Sequence, residues 1–344
     1  MNGRKALRTI CASLAVALGL CALACFLPDN PYQRWQLVDD YDFGLFAPLR
    51  RAYERIHFDP QPIDVVVVGT SKTQLGVSAA RIEQQLASHG APANVENFSV
   101  ATAGRNAEWA VVNEAFKTKS PKIVVVGIEG YQTRYGNPAF KFVASAAAII
   151  APPALLLHNY FYDLAYLPAR QVKLFAARFL PDFFGLRDKF DPAIYAHTRS
   201  DFTSGLVPWE SAMLDMERVV PPATLLSERL PAQHATLMER FLLWCCNDGD
   251  ERVYLRAIAA DAKAHGARLM FVFVPTYNFA GDIPDRDFVS RYGVLIDNRD
   301  LAGNSKLYES WSHLNHAGAL ANSDLIAAAI SEMKTSSLDA PSIK

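Results

Sequence analysis

Ile63-Asp-Val-Val-Val-Val-Gly-Thr-Ser71 is the stretch that decides the fold. Its valine-rich run to Val68 has the pattern of a strand covered on both faces, and it breaks into a turn at Gly69-Thr-Ser71. Working outward, Val77 to His89 reads as a helix, with Ser78 as its cap and Gly90 as its stop. Asn94 to Val100 reads as a second strand and Asn106 to Thr118 as a helix, and Lys122 to Ile128 repeats the valine pattern. The rhythm resumes with a helix over Asp250 to His265 and a strand over Arg268 to Val274. A short strand over Gly293 to Ile296 and a closing helix over Ala317 to Met333 follow. Strands alternating with helices predict a three-layer α/β/α fold with a mostly parallel central sheet. In such sheets ligands bind beyond the carboxyl ends of the strands. Ser71, Gly104, Gly127 and Pro275 all fall at those ends.

The rest of the chain divides around this unit, which spans 61–335. Arg4, Lys5 and Arg8 precede an uncharged apolar stretch from Thr9 to Pro28, with Asp29, Asp39 and Asp40 beyond it. That order predicts a membrane anchor or a signal segment over 1–30, with the folded part on the outer or periplasmic side. Ala22-Leu-Ala24 fits a cleavage site, so secretion after cleavage is the competing reading. Residues 31–60 read as a tether or covering segment. Regularity is lost over about 136–240, where Pro152-Pro153 and Pro221-Pro222 lie among many aromatics, and this is expected to be a helical insertion packed over the core. The tail after Lys334 reads as disordered. With 34 basic and 35 acidic residues among 344, bulk charge gives no reason to expect nucleic-acid binding. Of five cysteines, Cys11, Cys21 and Cys25 lie in the leader, and the neighbours Cys245 and Cys246 are expected to be free thiols.

Two residues carry the chemistry. Ser71 stands where a buried strand turns, and His313 lies in Trp311-Ser-His-Leu-Asn-His-Ala-Gly-Ala319, just before the last helix. If they meet at one end of the sheet, the imidazole can take the serine proton and make a nucleophile. Thr70-Ser71 also fits a plain helix cap. His316 lies three residues from His313, but no third ligand of suitable spacing accompanies them, so no metal is expected. His197 and Asp201 read as surface or lid contacts. Trp109, Tyr131 and Trp311 could line a sugar-binding cleft or simply pack.

Taken together, these segments resemble the SGNH/GDSL hydrolase superfamily. Val67-Val-Gly-Thr-Ser-Lys-Thr73 is similar to its first block, with Ser71 at the nucleophile position. Asn97-Phe-Ser-Val-Ala-Thr-Ala-Gly104 is similar to the second, whose glycine donates a backbone N–H to the oxyanion. Val124-Val-Val-Gly127 is similar to the run into the third, and His313-Leu-Asn-His-Ala-Gly318 to the fifth, which carries the catalytic histidine. The chain departs from the pattern twice. The aspartate expected three residues before the histidine is Ser310, so Glu309 or Ser310 would have to orient the ring. The asparagine expected two residues after Gly127 is Glu129, so Asn106 or Arg105 would have to supply an oxyanion donor.

The resemblance implies an exported, membrane-anchored serine esterase or O-acyltransferase acting on acyl groups of a cell-envelope polysaccharide. Ser71 would be the nucleophile and His313 the general base. Ser71, Gly104 and Asn106 would stabilise the oxyanion, and Arg105, Glu129, Tyr131 and Trp311 would bind substrate. No cofactor is implied. The partners would be an acylated polysaccharide or acyl donor and the membrane, with a membrane-bound acyltransferase as a further candidate. The alternative is a catalytically degenerate carbohydrate-binding or scaffolding subunit of an exopolysaccharide modification machine.

Overall fold

Valine runs become strands here because parallel neighbours and helices remove both faces from water. The computed structural model describes residues 3–39, 45–102, 104–128, 136–150, 159–193, 201–209, 212–229, 250–283 and 285–338. In chain order the first elements are α1 (Gly3–Ala24), α2 (Pro31–Gln36), α3 (Ala47–His57), β1 (Val65–Val68), α4 (Ser71–Gly76) and α5 (Ala79–Ser88). Then come β2 (Val95–Asn97), α6 (Arg105–Thr118) and β3 (Ile123–Ile128). The middle of the chain supplies α7 (Phe140–Val143), α8 (Ala146–Ile150), α9 (Tyr160–Ala177), β4 (Leu206–Trp209), β5 (Ala212–Asp215) and α10 (Pro222–Ser227). The last part adds α11 (Asp250–Ala264), β6 (Arg268–Phe273), α12 (Arg286–Val289), β7 (Val294–Asp297) and α13 (His316–Leu338).

Five of the strands form one sheet in the order β2-β1-β3-β6-β7, with every pairing parallel. Alternation along each strand sends its side chains to two separate cores. Val66, Val68, Val124, Val126 and Phe271 pack with Leu49 of α3, Val111 of α6 and Ile258 of α11. Val65, Val67, Val125 and Met270 face the other way, onto Ile82 and Leu86 of α5 and Ile326 and Ile330 of α13. The architecture is therefore three-layered, α/β/α. Burying each such side chain is worth about 1.5–3 kcal/mol, which is why the valine runs dominate the fold. The chain moves to one side of β1 to make β2 and to the other to make β3. That reversal opens a crevice at the carboxyl ends of β1 and β3.

Of the two readings of 31–60, the covering one describes it: Trp35, Phe46, Leu49 and Ile56 are buried in the first core. Two other expectations need correction. The insertion is not helical throughout: between α9 and α10, β4 and β5 pair as an antiparallel hairpin. The closing helix runs on to Leu338, so the stretch after Lys334 begins as helix. His197 and the Cys245-Cys246 pair lie outside the described residues.

The N-terminal helix behaves unlike the rest. Its apolar span, Ala6–Ala24, carries no burial and is long and apolar enough to cross a membrane. At about 1.5 Å per residue its 19 residues reach roughly 28 Å, close to the thickness of a hydrocarbon core.

Candidate active site

Ser71 is placed by the end of β1. Thr70 caps α4, its hydroxyl accepting from the Lys72 N–H at 3.3 Å, and Ser71 becomes the first helical residue, half-buried. Gly69 and Gly127, at the ends of β1 and β3, leave room for the Thr73 side chain, which a Cβ at either position would strike. Asn97 on β2 ties the helix down by donating to the Thr73 carbonyl at 3.1 Å and the Val77 carbonyl at 2.8 Å. Backbone and close packing therefore fix this serine.

His313 is placed by a tight loop ahead of α13. Tyr308, fully buried, donates its hydroxyl to the Pro275 carbonyl at 3.2 Å, pinning the loop to the end of β6. Tyr308 bridges antiparallel to Leu314, and the Glu309 N–H donates to the His313 carbonyl at 3.1 Å. Asn315 donates to the Lys306 carbonyl at 2.9 Å and accepts from the Gly318 N–H at 3.0 Å, holding the start of α13. Gly318 has to be glycine, since a Cβ there would collide with the Leu307 carbonyl oxygen.

The two elements converge. His313 Nε2 lies 3.0 Å from Ser71 Oγ, across 242 residues of sequence. On the other side of the ring, Nδ1 lies 3.1 Å from the hydroxyls of both Ser310 and Ser312. Either hydroxyl can accept from an Nδ1–H, and the tautomer protonated there leaves a lone pair on Nε2 facing the Ser71 hydroxyl. Of the two candidates for orienting the ring, Ser310 reaches it directly, and Glu309 lies beside Ser310 without touching the ring. Burial is the main influence on the Glu309 carboxyl and pushes it above the usual range, helped by Glu228 and Asp215 and opposed by Ser310 and Arg218.

The second block lies at the head of α6. Gly104 adopts φ +135°, a region that disfavours any side chain, and a Cβ there would strike the backbone of Asn137. Thr102, two residues earlier, has φ +64°, a strained setting for a β-branched residue. Asn137 holds this loop: its amide donates to the Ala101 carbonyl at 3.0 Å and the Thr102 hydroxyl at 3.2 Å, and its backbone N–H donates to Asn106 Oδ1 at 2.8 Å. Asn106 is fully buried, and its Nδ2 has no partner among the described residues, leaving an amide donor available. Arg105, expected at the substrate, is instead buried against Glu108 at 2.8 Å and the Gly127 carbonyl at 2.5 Å. Its role there is to join α6 to β3.

Part of the insertion forms the remaining wall. The ring of Trp209, at the end of β4, packs edge-on against His313 with centroids 5.6 Å apart. The Trp311 N–H donates to Glu228 at 2.9 Å, and Trp311 itself is half-buried beside the histidine. His316 joins the insertion rather than a ligand set: its backbone N–H donates to the Met216 carbonyl at 2.7 Å, and Nδ1 meets the Thr203 carbonyl at 2.9 Å. Asp201 accepts from the Thr203 N–H and hydroxyl, so it shapes that turn. Trp109 sits elsewhere, donating to Asp261 at 3.1 Å between α6 and α11. Glu129 and Tyr131 lie outside the described residues. Sequence reading passed over Trp209, Ser312 and Asn137. Ser312, adjacent to the histidine, was the one with a usable positional signal. Compared with known proteins, the chain matches no family model and no curated sequence.

Proposed function

We propose that this protein is a serine acyl-transfer enzyme, an esterase or O-acyltransferase, held at a membrane by α1 with its folded part on the outer side. The observation that carries the reading is the 3.0 Å approach of His313 Nε2 to Ser71 Oγ, with the far nitrogen held by hydroxyls. As Ser71 Oγ bonds to the acyl carbonyl carbon, His313 Nε2 takes its proton. The resulting oxyanion is met by the backbone N–H groups of Ser71 and Gly104, with the spare amide of Asn106 as a third donor. His313 returns the proton to the departing alkoxide, and the acyl group stays on Ser71 as an ester. Water or a sugar hydroxyl then loses its proton to His313 and attacks that ester, and Ser71 recovers the proton as its bond breaks. Throughout, the Ser310 and Ser312 hydroxyls hold Nδ1 and orient the ring. The resemblance to SGNH hydrolases supplies the substrate class, acyl groups on a cell-envelope polysaccharide, with an acylated polymer or acyl donor as partner.

A fluorophosphonate probe tests the nucleophile directly. Labelling of the full chain that disappears in Ser71→Ala and falls sharply in His313→Ala is the expected result. Labelling retained in Ser71→Ala would falsify the assignment. The second reading, a non-catalytic polysaccharide-binding or scaffolding subunit, is favoured by the hydroxyls at Nδ1 where an aspartate carboxylate would give a stronger base. Polysaccharide binding with no labelling and no ester hydrolysis at any pH would support that reading.

A further inference from the structure

Helix α9 is built inside out. Its buried face carries Asp163, Arg170 and Gln171 together with Leu167 and Leu174. Its exposed face runs Phe161, Tyr162, Ala165, Ala169 and Val172, then continues past the helix end into Phe179, Leu180 and Phe183. The spacing of three and four residues puts them along one stripe, and no charged residue interrupts it between Phe161 and Val172. Phe161, Phe179 and Phe183 are 78%, 69% and 80% exposed, far more than single aromatics need be on a water-facing surface. Lys173 and Arg178 border the stripe, and Asp182 lies at its far end.

The polar groups inside are largely engaged, with only Asp163 Oδ1 and Arg170 Nη2 lacking a partner among the described residues. Arg170 donates to the Lys141 carbonyl at 2.5 Å and the Ala144 carbonyl at 2.8 Å. Asn159 donates to Asp163 at 2.9 Å. Polar inside and apolar outside is the arrangement expected where the surrounding solvent is lipid.

The position of α9 singles out that solvent. Gln171 donates to the Leu27 carbonyl at 2.8 Å, directly below α1, and Gln33 donates to the Ala177 carbonyl at 3.0 Å. Asn30 and Gln36 reach the carbonyls of Asp188 and Arg187 at 3.0 and 2.9 Å. The chain leaving α1 is thus bonded along α9 and the loop after it. Whatever α1 inserts into, α9 stands at its foot.

We propose that the Phe161–Phe183 stripe docks in the headgroup and acyl boundary of the leaflet that α1 enters, so that the catalytic domain lies against the membrane instead of swinging from a tether. The inference rests on the reading of α1 as a membrane anchor. A stripe of this kind buries apolar side chains among acyl chains while Lys173 and Arg178 meet acidic headgroups. Docking also fixes which way the crevice between β1 and β3 faces, so acceptors within a set distance of the bilayer are favoured.

The test places a benzophenone amino acid singly at Leu14, Phe161, Phe179, Phe183 or Val294 of the full chain, reconstituted in phosphatidylethanolamine–phosphatidylglycerol vesicles. Val294 is a half-exposed apolar position on the edge strand β7 and serves as the water-facing control. Because the replaced phenylalanines are exposed, the core is untouched, and an unchanged melting temperature checks this. Irradiation followed by mass spectrometry reads phospholipid adducts. Adducts at Leu14, Phe161, Phe179 and Phe183, absent at Val294, are expected. Adducts at Leu14 alone would overturn the docking while leaving the anchor standing. No adduct at Leu14 would remove the anchor and the docking with it. Photolysis in native membranes that joins Phe179 to a protein rather than to lipid would overturn the lipid assignment in favour of a protein partner.

Discussion

The central sheet and the insertion over 136–240 reach order by opposite distributions of polarity. In the sheet, β1 and β3 present buried valines and isoleucines on both faces, with polar groups only where the strands end. In the insertion, α9 turns Asp163, Arg170 and Gln171 inward and leaves phenylalanines outside. The difference matters for the site because each region supplies one wall. Ser71 is held by backbone and packing at the end of β1. His313 is held by side-chain hydrogen bonds and by the Trp209 ring from β4. The first wall is set by the fold, and the second can be loosened while the fold survives.

Gly104→Ala should break the first wall most severely. It places a Cβ at φ +135° against the Asn137 backbone. A cost of about 4 kcal/mol or more, with loss of acyl-ester hydrolysis, is expected from combined strain and collision, read by denaturant melts and ester assays. Arg170→Met attacks the insertion instead. It leaves the Lys141 and Ala144 carbonyls without their donor, a loss of about 3 kcal/mol at roughly 1–3 kcal/mol per buried group. Hydrogen exchange should show α7 to α9 opening before the sheet. If the sheet opens equally, the two regions are one cooperative unit.

Ser310→Ala should leave stability within about 0.5 kcal/mol and lower turnover about 10²-fold, since general-base catalysis contributes roughly 10²–10⁴. A silent Ser310→Ala would assign the ring's orientation to Ser312. Asp163→Asn gives a smaller, pH-dependent effect. Burial, the dominant influence, pushes this carboxyl from 3.8 up to about 7, against the pull of Lys141, Asn159 and Arg170. Between those values the folded chain keeps a proton that the unfolded chain has released, so stability falls as pH rises from about 4 to 7. Asp163→Asn should therefore stabilise the protein by about 2 kcal/mol at pH 8, within the ~4 kcal/mol ceiling for that shift, and by almost nothing at pH 4. Thermal melts across pH check this. Ser312→Ala should change turnover least, by less than about tenfold while Ser310 remains.

The legibility of the chain follows the same division. Strands at 65–68 and 123–128 stood out because burial on both faces forces an unbroken apolar run, and Ser71 and His313 were readable from their positions at strand and helix ends. The β4–β5 hairpin was hidden. Its strands are four residues each, one holds Pro208, and their outward positions include Leu206 and Met213, so no clean alternation survives. Trp209 could not be told from the other aromatics around it, because what makes it part of the site is a neighbour 104 positions away. Asn137 acts through bonds to Ala101 and Thr102 that only the folded loop creates. Arg105 misled although its partner Glu108 is only three residues on, since burial of the pair against the Gly127 carbonyl exists only in the folded chain. In α9 no regular pattern was read, and which face of the helix is wet is in any case not written in its spacing.

The span of 242 positions between the serine and its imidazole has a temporal meaning. A nascent chain emerging N-terminus first presents α1, then β1 with its hydroxyl, long before residue 313 is made. Until the final helix docks, His313 is not beside the Ser71 hydroxyl. If the pair is the catalytic centre proposed above, chain completion is a built-in safety catch on it.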